Sequence, residues 1–156
     1  MKVLKKDIFM MMIIVISILT AVTIFLPSLA FSSSDSAFSG IEIVFGTEFV
    51  NLGSWASGNV NLSILGILAY LLPLGALVSV VSVKNGYALS ILLFTINVIL
   101  LFLLPEYTKT TVTVLGQVSE IEINWVVSYG LIIAQILSVL GIIVSTIKVV
   151  KFQKFK

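Results

Sequence analysis

Long apolar stretches dominate the hydropathy pattern of this 156-residue chain. Four of them reach the roughly 20 residues that an α-helix needs to cross the hydrocarbon core of a bilayer. They cover about residues 8–30, 62–83, 86–104 and 125–147, and none contains Asp, Glu or Lys in its interior. The pattern predicts one integral membrane domain, residues 1–156, with four spanning helices and outer loops at 31–61 and 105–124.

Polar and apolar residues alternate within both outer loops. Every second residue from Ile41 to Phe45 is large and apolar, which is typical of a short strand with one apolar face. The second loop alternates over 111–115 and again over 120–123, around a Gly116-Gln117 turn, and this predicts a β-hairpin. Because a lone hairpin is marginally stable in water, we expect a small antiparallel sheet, with one strand from the first loop and two from the second. The predicted fold is a membrane all-α four-helix bundle with an extracellular β-sheet cap.

The distribution of charge predicts the orientation. Eight of the nine cationic residues lie at the chain ends or in the second-to-third turn, namely Lys2, Lys5, Lys6, Lys84, Lys148, Lys151, Lys154 and Lys156. The opposite face carries Asp35, Glu42, Glu48, Glu106, Glu120 and Glu122 against Lys109. By the positive-inside rule, the sequence predicts a multi-pass plasma-membrane protein with both termini in the cytoplasm.

The first span leaves an alternative open. Ser28-Leu29-Ala30, after Pro27, is similar to a signal-peptidase site. The preceding apolar run is longer than the roughly 7–15 residues of a cleavable signal core, which favours an uncleaved first helix. Cleavage would leave three spans with the N-terminus outside.

The predicted layout resembles that of the claudins, which also combine four spans, cytoplasmic termini, a longer first outer loop and a β-sheet cap. Claudins carry a Trp, a Gly-Leu-Trp and two cysteines in that loop, whereas this chain has Gly53-Ser54-Trp55 and no cysteine. The segment from Phe38 to Gly46 is similar to the loop of small four-span membrane proteins of low-GC bacteria. These resemblances imply a fold and bring no activity.

Missing residue types exclude several kinds of chemistry. The sequence contains no Cys, no His and no Arg, so disulfides, thiol nucleophiles, histidine ligands and arginine clamps are absent. Coupled transport usually uses an ionisable residue inside the membrane, and the predicted spans have none. We expect no enzymatic activity, no catalytic residue, no cofactor, no metal and no nucleic-acid partner.

Polar and small residues within the spans have two interpretations each. Asn97 and Gln135 lie at comparable depth on neighbouring spans, where they line a polar path or, as we favour, hydrogen-bond between helices. Five small residues recur on one face of the fourth span and predict close helix packing, either within the bundle or against a second protein. They are Gly130, Ala134, Ser138, Gly141 and Ser145.

The candidate interaction surface lies on the outer loops, at Glu42, Phe45, Trp55, Glu120 and Glu122. Its carboxylates, with Glu48, have the chemistry of a divalent-cation site, although solvated acidic side chains are the favoured interpretation. We expect a structural, scaffold or accessory subunit in the lipid bilayer, with a membrane protein partner or as a homo-oligomer. The alternative is an oligomeric passive pore, or a protein that handles lipids or small molecules.

Overall fold

A computed structural model describes residues 7–32 and 36–153 of the chain. Its helices are α1 (Ile8–Val22), α2 (Gly40–Phe45), α3 (Ile64–Ser82), α4 (Gly86–Tyr107) and α5 (Tyr129–Gln153). Its strands are β1 (Pro27–Phe31), β2 (Ala37–Ser39), β3 (Thr47–Asn51), β4 (Ala56–Val60), β5 (Thr110–Val114), β6 (Gln117–Ile121) and β7 (Trp125–Val127). Lys2, Lys5, Lys6, Asp35, Lys154 and Lys156 lie outside the described residues.

Four of the helices are long and apolar enough to cross a membrane, as the hydropathy pattern predicts. Helix α1 packs against α3 and α5, and α4 packs against the same two helices. The four therefore form a closed ring, in which successive helices run in opposite directions. One end of the bundle carries all the strands and is called the sheet end below. The other carries Asp7, Lys84, Lys148 and Lys151 and is called the lysine-rich end.

The helix of the first span ends earlier than predicted, and the helix of the fourth span begins later than predicted. Helix α1 ends at Val22 and continues only as a 3₁₀ turn to Phe25, while α5 begins at Tyr129. The residues between these helices and the outer loops form β1 and β7, which pair with each other in antiparallel fashion. The missing helical turns are therefore replaced by strand pairing, which satisfies the same backbone groups.

The strands form two antiparallel sheets, with the orders β2-β1-β7 and β3-β4-β5-β6. The predicted hairpin is confirmed as β5 and β6, but its turn is Leu115-Gly116, one residue earlier than expected. The expected single sheet of three strands is wrong, because the first loop gives two strands, β3 and β4, to the larger sheet, and β1, β2 and β7 form a second sheet. Strands β3 and β4 lack the regular alternation of polar and apolar residues from which the other outer-loop strands were predicted.

The predicted strand from Ile41 to Phe45 is wrong, because these residues form helix α2. Ser39 caps the helix: its hydroxyl accepts from the backbone N–H of Glu42, and the Glu42 carboxylate accepts from the backbone N–H of Ser39. This reciprocal pair is the capping box, which favours a helix start over an extended chain. Ile43 and Val44 are buried on the inner side of the helix, while Ile41 and Phe45 are exposed.

Candidate functional site

The two turns at the end of the larger sheet farthest from the bundle carry three exposed large apolar residues. Leu52, Trp55 and Leu115 are 64%, 70% and 70% exposed. Leu52 and Trp55 lie in the turn between β3 and β4, and Leu115 lies in the turn between β5 and β6. The backbone N–H of Leu115 donates to the carbonyl oxygen of Trp55 at 2.9 Å, which joins the two turns. We call these three residues the sheet tip.

The backbone at Leu115 is unusual for a leucine. Its φ is +51°, followed by +81° at Gly116, so both turn residues adopt the left-handed conformation. Two-residue hairpins of this kind favour Asn, Asp and Gly, because other side chains are sterically disfavoured there. Since Leu115 is also exposed, neither the turn nor the core explains a leucine at this position.

The face of the larger sheet that points away from the bundle is polar and acidic. Strand pairing places Glu48, Asn59, Thr111 and Glu120 in one row across β3, β4, β5 and β6. Residues paired in this way share a face of the sheet, and this face is opposite the one that buries Val60. The only charge partner found among the described residues here is Lys109, 3.6 Å from Glu120 with both side chains about two-thirds exposed.

The five residues of the predicted interaction surface are not brought together. Phe45 precedes β3 at the bundle side of the larger sheet, whereas Trp55 precedes β4 at the far side, roughly 15 Å away for a five-residue strand. Glu42 serves as a helix cap, and Glu120 and Glu122 line a shallow cavity of about 490 Å³ beside Lys109. In the described part of the chain, no group of three acidic side chains is arranged to hold a metal ion.

The two polar residues of the spans bond to the facing helix and not to each other. The side-chain N–H of Asn97 donates to Ser138 Oγ at 2.7 Å, and Gln135 Nε2 donates to the Leu101 carbonyl at 3.4 Å. That carbonyl lacks its usual helical donor, because Pro105, four residues later, has no N–H. Gln135 thus satisfies a backbone group that α4 leaves unpaired in an apolar environment.

The small residues of α5 lie inside the bundle. A Cβ on Gly141 would come within 2.7 Å of the Phe94 ring, and one on Gly130 within 2.5 Å of the Pro27 carbonyl oxygen. Ala134 is fully buried, Ser138 bonds to Asn97, and the hydroxyl groups of Ser90 and Ser145 bond at 2.8 Å. Small side chains therefore allow the start of β1 and helix α4 to approach α5 closely.

A polar network at the lysine-rich end joins three helices. Lys148 Nζ and the Tyr87 hydroxyl lie 2.6 and 2.8 Å from the same carboxylate oxygen of Asp7. Burial by itself raises the pKa of Asp7, but hydrogen bonds from Lys148 and Tyr87, the Lys148 charge and the backbone N–H of Phe9 together hold it below its ordinary value. The sequence patterns did not single out Asp7 as a candidate site residue. The signal available was a single acid, directly before a span, among lysines.

Residues of the sheet tip were also missed in part. Trp55 was singled out, but Leu52 and Leu115 were not, because apolar residues in loops are common. The available signal was Leu115 directly before Gly116, at a position where a hairpin turn favours small polar residues.

No family model, curated protein or solved structure matches this chain. The resemblance to claudins and to small four-span bacterial proteins therefore stays a prediction drawn from layout and from one loop segment.

Proposed function

We propose that this chain is a non-enzymatic accessory or scaffold subunit of the membrane, which binds an extracytoplasmic protein through its sheet tip. The observation that carries the proposal is Leu115, an exposed leucine held in a backbone conformation that disfavours it. Strain of this kind persists where it serves a function, because folding alone selects against it. Together with Leu52 and Trp55, it gives the sheet an apolar contact point.

The charge around the tip indicates the chemistry of the partner. The sheet end carries Glu42, Glu48, Glu106, Glu120 and Glu122 against Lys109 among the described residues. A partner with an apolar patch bordered by basic residues matches this surface, since complementary charge guides association and excludes acidic proteins. The lysine excess at the opposite end supports an outward-facing sheet end.

Site-specific photo-crosslinking in native membranes tests this proposal. A photoreactive residue is placed at position 55 or 115, and at position 45 as the control. Phe45 is also a large apolar residue and is 55% exposed, but it lies just before β3, at the bundle side of the larger sheet. We expect positions 55 and 115 to capture the same second protein and position 45 to capture none. Crosslinks to lipid alone, or only to another copy of this chain, would overturn the proposal.

A single substitution separates binding from folding. Leu115→Asn places a residue that tolerates positive φ in the turn, so we expect an unchanged or higher melting temperature. Recovery of the crosslinked partner with a tagged chain should fall about ten-fold, because burial of a leucine side chain is worth roughly 1.5–3 kcal/mol. Unchanged recovery of the partner, with the fold intact, would show that the sheet tip is not part of the binding interface.

A further inference from the structure

The lysine-rich end contains a cavity of about 420 Å³ between the end of α5, the start of α4 and the residue before α1. Its polar lining residues are Asp7, Lys84, Asn85, Tyr87 and Lys148. Its size falls within the range of small-molecule sites in proteins. None of the contacts that define the sheet tip involves these residues.

The charge of this cavity is positive. Two ammonium groups, of Lys84 and Lys148, and a single carboxylate, of Asp7, line it, and Lys84 forms no ion pair with any described residue. The Asn85 side chain makes no capping hydrogen bond to α4, so its amide is available to a ligand. Two ammonium groups and one amide form a donor set suited to the oxygen atoms of a phosphate group.

Lys148 is held in place before any ligand arrives. Its ammonium lies 2.6 Å from Asp7 Oδ2, 5.5 Å from the centre of the Phe9 ring and 5.6 Å from the centre of the Tyr87 ring. A lysine held by one carboxylate and two rings loses little further freedom on binding, which favours a defined site over loose attraction. An ammonium has three N–H groups, so its contact with Asp7 leaves donors for a second acceptor.

The position of the cavity indicates where such a phosphate comes from. It lies at the ends of three membrane-length apolar helices, the depth at which phospholipid headgroups lie. Exposed apolar side chains surround this end of the bundle and offer a surface for acyl chains; they include Ile8, Leu89, Ile147 and Val150.

We infer that this cavity binds the phosphate group of an anionic phospholipid, with Lys84 and Lys148 as its main ligands. The lipid would bridge the α3–α4 turn and the end of α5, and so stabilise the lysine-rich end. This is a site of defined composition, unlike the general attraction of a basic surface to an anionic membrane.

The experiment uses the full chain purified in neutral detergent and titrated with phosphatidylglycerol, phosphatidylcholine or inorganic phosphate. We expect native mass spectra to retain one phosphatidylglycerol per chain and no phosphatidylcholine, with a higher melting temperature. Lys84→Gln should weaken phosphatidylglycerol binding about five-fold, the contribution of one lysine at an anionic surface. Lys109→Gln, at the other end of the molecule, is the matched control and should leave it unchanged.

A second variant distinguishes the loss of a lipid ligand from a loss of the fold. Asp7→Asn with Lys148→Gln removes both charges of the pair together, so it leaves no unpaired charge behind. It should keep the melting temperature within a few degrees but lose the phosphatidylglycerol effect. Equal weakening by Lys84→Gln and Lys109→Gln would show diffuse attraction, and an equal effect of inorganic phosphate would show that the ligand is not a lipid. Either result overturns the inference.

Discussion

Glycines on the membrane helices differ in the space beside them. The Cβ of an alanine at position 141 would come 2.7 Å from two atoms of the Phe94 ring, and Phe94 is fully buried. At position 75, the nearest atom is a methyl carbon of Leu93 at 3.6 Å, an ordinary van der Waals contact. The same chemical change is therefore excluded by packing at one position and accommodated at the other.

We expect Gly141→Ala to destabilise the bundle by about 1–3 kcal/mol, the usual cost of overpacking a core. Gly75→Ala is the matched control and should be neutral or stabilising by up to about 1 kcal/mol, because alanine favours the helix more than glycine does. Reversible unfolding in mixed detergent micelles measures both. Equal stability of the two variants would show that α4 and α5 are not packed around Gly141.

At the residue scale, the sequence predicted which residues pack or hydrogen-bond between helices, but it did not predict their hydrogen-bond partners. The small-residue face of α5 was recognisable from spacing alone, since helical periodicity places those positions on one side. The hydrogen-bond partners were not recognisable from spacing. Asn97 bonds to Ser138, and Gln135 bonds to the carbonyl group that Pro105 leaves without a helical donor. Finding that carbonyl requires knowledge of which turn of α4 faces Gln135, which depends on the rotation of two helices about their axes.

At the element scale, Asp7 connects three helices through a network of short contacts. It caps α1 by accepting from the backbone N–H of Phe9, and it also accepts from Tyr87 on α4 and Lys148 on α5. One carboxylate thus fixes the start of one helix against the start of a second and the end of a third. Its loss affects the docking of elements more than their formation.

We expect Asp7→Asn to lower the free energy of unfolding by about 1–3 kcal/mol at pH 7, because Lys148 is left without its anionic partner. The folded-state pKa of Asp7 lies below its ordinary 3.8, so its stabilisation is complete above that value. It is lost as the pH falls through the folded-state pKa. Unfolding curves of both proteins should therefore differ at pH 7 and converge at the most acidic pH; a constant difference would contradict the network.

The short elements were the least predictable from sequence. In residues 40–46, strand alternation and the helical capping box of Ser39 and Glu42 compete, and the box determines the structure because it satisfies two backbone N–H groups locally. Strands β3 and β4 have no regular alternation, partly because a bulge at Phe49 interrupts their register. The ring of Phe49 lies over Gly58, where a Cβ would come within 2.6 Å of it.

At the scale of the whole molecule, hydropathy predicted the four long helices because bilayer thickness sets their length directly. The joining of the two outer loops into two sheets depends on contacts between distant segments, to which periodicity is insensitive. Orientation follows from the lysines and stays a prediction.

The absence of cysteine from the chain allows a direct test of orientation in intact cells. We expect Leu115→Cys to react with a membrane-impermeant thiol reagent applied outside, because the sheet end faces outward under the positive-inside rule. Lys84→Cys should react only after the membrane is permeabilised. Both positions are exposed, so the two variants control for each other. The reverse pattern would contradict the predicted orientation.

The pairing of β1 with β7 has a consequence for biogenesis. It connects Leu29, just after the first span, to Val127, just before the last. During synthesis at about 5–20 residues per second, the ribosome needs roughly 5–20 s between these two residues. Throughout that time one edge of β1 lacks its native neighbour and can recruit other extended chains. Synthesis of β7 is therefore the step that completes the small sheet, and stalling before it leaves an aggregation-prone intermediate.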